Sequence, residues 1–91
     1  MADKLQKLLT LLEVERIDKY LFIGNSPSYP PRVFGGQVLG QSLNAASRTV
    51  DSERKAHSMH AYFLRPGNPK KQIVYEVDPL RDGGSFTTRR V

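Results

Sequence analysis

The sequence predicts an α+β domain in which an antiparallel sheet curls around one central helix. Three observations carry that prediction: a glycine-entered helical stretch at residues 36–50, a run of period-two alternation from Lys55 onward, and turn-forming residues that cut this run into a meander of strands. The order is helix, short strand, helix, then long strands, with no internal repeat and no low-complexity tract beyond a proline-rich loop.

Each element has its own warrant. Asp3 is followed by Leu5, Leu8, Leu9 and Leu12, a spacing of three and four that places four leucines on one stripe of a helix over about residues 3–13. Gln6, three residues after Asp3, completes a capping box, and the stripe is expected to pack on the rest of the protein. Tyr20-Leu21-Phe22-Ile23-Gly24 is short, aromatic and β-branched, and it predicts a strand stopped by Gly24-Asn25-Ser26-Pro27. Ser28-Tyr29-Pro30-Pro31 continues as loop, since its prolines lack amide donors and push their predecessors to extended geometry. In residues 36–50, Leu39, Leu43, Ala46 and Val50 form one helical stripe. Gly35, Gly36 and Gly40 at the entrance, with Ala45, Ala46 and Ser47 beyond, trim this helix enough for a sheet to wrap it closely. Gly40 costs roughly 1 kcal/mol of helix propensity and so requires a packing reason.

From Lys55 the alternation sets His57, Met59, Ala61 and Phe63 on one face and Ser58, His60, Tyr62 and Leu64 on the other, a strand ended by Arg65-Pro66-Gly67-Asn68-Pro69. A second long strand is expected over residues 72–78, with Ile73, Tyr75 and Val77 inward and Glu76 and Asp78 outward. Arg81-Asp82-Gly83-Gly84 predicts a tight turn, after which Ser85 to Val91 restart an extended pattern.

Composition narrows the function classes. Ninety-one residues, 38% hydrophobic, are one small domain or part of one. The chain has no cysteine, which removes disulfides, thiolate nucleophiles and thiolate metal sites. No apolar run approaches the roughly 20 residues of a membrane span, and Met1-Ala2-Asp3-Lys4 opens no long apolar leader, so a soluble, intracellular chain is expected. A net charge of +5 favours an anionic partner without naming it.

The candidate chemistry is sparse. Gly35-Gly36-Gln37 opens a helix whose free amides and dipole can hold a phosphate, a carboxylate or a polarised carbonyl oxygen, although the same glycines also suit close packing. The run lacks both the Lys-Ser/Thr ending of a phosphate loop and dinucleotide glycine spacing. His57 and His60 point to opposite faces of their expected strand and cannot share a metal; His57, among apolar neighbours, reads first as a hydrogen-bonded core residue. No nucleophile, base and orienting group occur at a defensible spacing. Arg65, Lys70 and Lys71, with Arg81, Arg89 and Arg90, sit near strand ends and turns, as a solvated rim or a rim that meets phosphates. The aromatic residues alternate as core residues do and form no stacking platform, which argues against nucleic acid.

Three ordered blocks carry a family resemblance: Arg32-Val33-Phe34-Gly35-Gly36-Gln37-Val38-Leu39-Gly40-Gln41, His57-Ser58-Met59-His60-Ala61-Tyr62-Phe63-Leu64-Arg65-Pro66-Gly67, and Arg81-Asp82-Gly83-Gly84-Ser85-Phe86-Thr87-Thr88-Arg89-Arg90-Val91. Together they resemble the amino-terminal hotdog domain of the acyl-CoA thioesterase II family, over essentially the whole chain. The resemblance implies a hotdog fold over residues 1–91, truncated within a late strand, and a parent enzyme of two hotdogs that hydrolyses fatty acyl-CoA to free fatty acid and CoA with no metal or cofactor. It further implies that the catalytic Asp, Ser or Thr and Gln of the family lie in a second hotdog absent from this chain, leaving the chain by itself inactive. His57 matches a histidine of the family block and is the one catalytic candidate. Gly36, Gln37, Arg65 and Lys70 are the substrate-binding candidates. The implied partners are acyl-CoA, the second hotdog and further copies in a homo-oligomer, in the cytoplasm or, in a eukaryote, the peroxisome. The alternative is a non-catalytic hotdog for acyl-CoA binding or assembly.

Overall fold

The computed structural model describes residues 2–27 and 35–91. They form α1 (Ala2–Leu12), β1 (Glu15–Asp18), β2 (Leu21–Gly24), α2 (Gly35–Ser47), β3 (Ile73–Glu76), β4 (Asp78–Asp82) and β5 (Thr87–Arg90). The proline loop expected at 28–31 and the start of the first family block, residues 32–34, lie outside the described residues.

Among the described residues every strand pairing is antiparallel. β2 runs between β1 and β3, and β4 pairs with β5 as a separate hairpin. The register sets Phe22 opposite both Arg16 and Tyr75, and Gly24 opposite Ile73. Period two then turns Phe22 and Gly24 inward, and Tyr75 and Val77 join them. The core is Val14, Phe22, Ala45, Tyr75 and Val77, with Tyr20, Val38 and Ile73 packed against it. Phe22 is fully buried, which contributes about 2–3 kcal/mol.

Two glycines let the layers approach. A Cβ on Gly24 would fall on the Gln41 side-chain oxygen and 2.8 Å from Tyr75 Cε2, so β2 meets α2 through bare backbone. A Cβ on Gly40 would stand 2.6 Å from Leu12 Cδ2. Seating the end of α1 is the packing reason that Gly40 required.

The elements depart from expectation in four places. The leucine stripe of α1 does not pack along its length: Leu12 is half-buried at the crossing with α2, whereas Leu5, Leu8 and Leu9 are exposed. Residues 55–64 do not form a strand. They run without turn, bend or pairing, because neither edge meets another strand among the described residues, and His57 is accordingly exposed and not a core residue. The expected strand at 72–78 divides instead at Val77, whose amide donates to the Tyr20 carbonyl at 2.8 Å as the last link of the first ladder. Pro79 has no amide to offer, and the register slips between it and Arg81, as proline in a strand demands. Residues 81–82 therefore belong to β4, and the turn falls two residues later, at 83–86, closed by the Gly83 amide donating to the Phe86 carbonyl at 2.8 Å. Finally, β1 has no counterpart in the sequence reading. Its four residues are all exposed, so it carries no alternation to read.

Candidate functional site

The inward face of α2 is partly polar: Gln37 and Gln41 are buried beside Ala45. Gln37, Gln41 and Asn44, with Arg48 just past the helix end, recur at offsets of four, three and four, which is one stripe of a helix. Each side chain bonds backbone outside α2. Gln37 Nε2 donates to the Asn25 carbonyl at 3.2 Å and to Ser26 Oγ at 2.7 Å. Gln41 Nε2 donates to the carbonyls of Leu11 at 2.7 Å and Asn25 at 3.0 Å, while Tyr75 Oη donates to Gln41 Oε1 at 2.6 Å. The Val14 amide donates to Asn44 Oδ1 at 3.1 Å, and Arg48 donates to the Val14 carbonyl. Gln41 is thereby a buried node joining the end of α1, the end of β2 and β3. Desolvation in this core raises the Tyr75 phenol to about 12.

The other end of α2 gathers guanidinium groups. Arg16 donates to the Arg48 carbonyl at 3.0 Å, and Arg89 donates to the carbonyl and hydroxyl of Thr49 at 3.0 and 2.8 Å. Cations there complement the negative end of the helix dipole. Arg89 also meets Asp82 at 2.9 Å, and its side chain is 7% exposed, so β5 is fixed to the helix end by a largely buried charge. Arg16 and Arg48 both lie over the Phe22 ring, at 5.1 and 5.2 Å from its centroid.

The residues singled out in the sequence lie in separate places. Gly36 is exposed in the first turn of α2, but the Gln37 amide group is turned inward and engaged. His57 lies beside the β4–β5 turn, its ring tilted against Phe86 with centroids 6.5 Å apart. From there the chain runs back to the helix entrance, where the Phe63 ring covers Gly35. Five residues without turn or bend, 58–62, separate those two contacts, so His57 lies at the β4–β5 end of the arm and Phe63 at the Gly35 end. Arg65 and Lys70 are exposed beyond that segment. An open groove of about 520 Å³ lies between α2 and β3–β5, bordered by Val38, Ser42, Val77, Asp78, Arg90 and Val91. No cluster of three or more metal-ligating His, Cys, Asp or Glu side chains occurs among the described residues, and no helix there is long and apolar enough to cross a membrane.

Sequence reasoning missed Gln41, Asn44 and Tyr75 as organising residues. A signal existed for the first two: Gln37, Gln41 and Asn44 share one helical stripe, a pattern hidden because apolar residues were taken to mark the inner face.

The fold defines a class of protein before it defines a family. It superposes on the tesB protein of Mycobacterium avium subspecies paratuberculosis with a TM-score of 0.86 at 40% identity, covering 93% of this chain and 35% of that one. Against acyl-CoA thioesterase II TesB2 of Mycobacterium marinum the TM-score is 0.81 at 42% identity, covering 92% and 31%. Antiparallel sheet and central helix are therefore those of the thioesterase II hotdog. The acyl-CoA thioesterase N-terminal domain family matches residues 25–91, and the chain belongs to that family. Among curated relatives it is 46% identical to acyl-CoA thioesterase 2 of Haemophilus influenzae over 88 residues, 96% of this chain and 31% of that protein. It is 43% identical to human acyl-coenzyme A thioesterase 8 over 83 residues, 90% of this chain and 26% of that protein. The chain thus spans about a quarter to a third of the relatives it matches.

Proposed function

We propose that this chain is the amino-terminal, non-hydrolysing hotdog of an acyl-CoA thioesterase, a protein that hydrolyses fatty acyl-CoA to free fatty acid and CoA. The observation that carries this reading is the match of residues 25–91 to the thioesterase N-terminal domain family, in a chain whose helix entrance offers Gly36 and a structurally engaged Gln37 but no carboxylate. Hydrolysis of a thioester by water needs a group that activates the water and donors that stabilise the growing oxyanion. The first turn of α2 offers amide donors and no ionisable side chain. The water-activating group is assigned to a second hotdog domain, the partner that would also cover residues 55–64.

In this reading Gly36 orients a ligand carbonyl or the facing domain, Arg65 and Lys70 contact phosphates of CoA, and His57 contributes from the arm beside Phe86. Assembly into a homo-oligomer, and a cytoplasmic or, in a eukaryote, peroxisomal setting, complete the proposal. A protein joining this chain to the second domain should release CoA from a medium-chain acyl-CoA, and His57→Ala in it should slow that release. Tight acyl-CoA binding with no release would favour a binding module instead. Unchanged turnover in the His57 variant would remove that residue from the site.

A further inference from the structure

Arg54 stands at the start of the unpaired arm, outside every site residue considered so far. Its guanidinium donates from Nη2 to the carbonyls of Gly83 at 2.9 Å and Gly84 at 2.8 Å, and from Nη1 to Thr87 Oγ1 at 2.9 Å. Three acceptors on one turn, met by one planar fork, fix position and orientation together. The turn so held carries Phe86, and Phe86 is the ring that His57 meets three residues along the arm.

We propose that Arg54 is a positioning residue that latches the β4–β5 turn to the arm, so that the His57 imidazole and the Phe86 ring keep a fixed relative placement. The alternatives for that task are weak. Residues 55–64 make no backbone hydrogen bond to another segment among the described residues, and His57 and Phe86 are both exposed. Burial therefore does not hold the two rings together. Arg89 anchors β5 to Thr49 and meets Asp82, which ties the hairpin to the end of α2 and not to the arm. The Arg54 acceptors are two carbonyls and a hydroxyl, none of which titrates with a carboxylate.

Nuclear magnetic resonance of the full chain tests this directly. In the unaltered chain the Arg54 Nη protons should give resolved, slowly exchanging signals, and the His57 ring protons should be shifted by the Phe86 ring current. Arg54→Met should abolish the His57 shift and lower amide protection in residues 83–88 by about tenfold or more, with Phe22 and Tyr75 signals unmoved. Arg54→Lys, a point charge that cannot span three acceptors, should fall between. A single averaged Nη signal in the unaltered chain, or an Arg54→Met variant with the His57 shift and turn protection intact, would overturn the latch.

Discussion

At the scale of single residues, the account turns on Gln41, Tyr75 and Gly24. Gln41 is an uncharged side chain in a fully buried place, tolerable because both ends of its amide are bonded. Gln41→Leu would leave the Tyr75 hydroxyl and the Leu11 carbonyl without that partner, at a cost of roughly 3 kcal/mol in chemical denaturation. Tyr75→Phe should cost about 1–2 kcal/mol, since it removes only one donor. Gly24→Ala places a methyl on the Gln41 amide and the Tyr75 ring and should cost about 1–3 kcal/mol. Tyr75 also makes stability depend on alkali. An unfolded phenol ionises near 10.0 and the folded one at about 12, so between those values the folded chain holds the extra proton. Its contribution is complete below pH 10 and is lost as pH rises through 12. Denaturation midpoints followed from pH 9 to 12 should fall more steeply for the unaltered chain than for Tyr75→Phe; parallel curves would place the phenol outside the core.

At the scale of elements, α1 and α2 show what a hydrophobic pattern does and does not specify. The leucine spacing of α1 was sufficient to predict a helix, and it was not sufficient to say which leucines are covered. Only the end that crosses Gly40 is seated. Leu8→Gln should therefore change stability by no more than about 0.5 kcal/mol, whereas Leu12→Ala should cost about 2 kcal/mol by urea denaturation. For α2 the helix was legible, the glycine trimming was legible, and the inner face was not. Leu43 is 40% exposed while Gln41 is fully buried, because backbone carbonyls at Leu11 and Asn25 supply acceptors that no sequence pattern announces. Residues 55–64 fail differently. Their alternation is that of a strand, but a strand requires a neighbour, and pairing is a property of the surroundings and not of ten side chains. Met59, Tyr62, Phe63 and Leu64 remain exposed as a consequence.

At the scale of the whole molecule, antiparallel pairing and a helix on the sheet follow from features the sequence displays: short connections, glycine and proline punctuation, and period-two strands. The division into a three-stranded sheet and a hairpin falls at Val77, inside a run whose alternation continues unbroken in the sequence. The candidate site was legible only as residue types. His57, Gly36, Gln37, Arg65 and Lys70 were visible, but their mutual distance and the inward turn of Gln37 depend on contacts across the fold. Exposed charge pairs contribute little to this whole: Arg90 and Asp78 lie 2.6 Å apart yet face water, and Asp78→Asn should alter stability by less than about 1 kcal/mol, with that difference shrinking further in high salt.

The proposed function is that this hotdog contributes to a substrate surface without the group that activates water. Free thiol appearing from a medium-chain acyl-CoA, followed with the purified 91-residue chain alone, tests it most directly. The account predicts a rate equal to the uncatalysed background. Sustained turnover by this chain, lost on His57→Ala, would contradict it and place the reaction here.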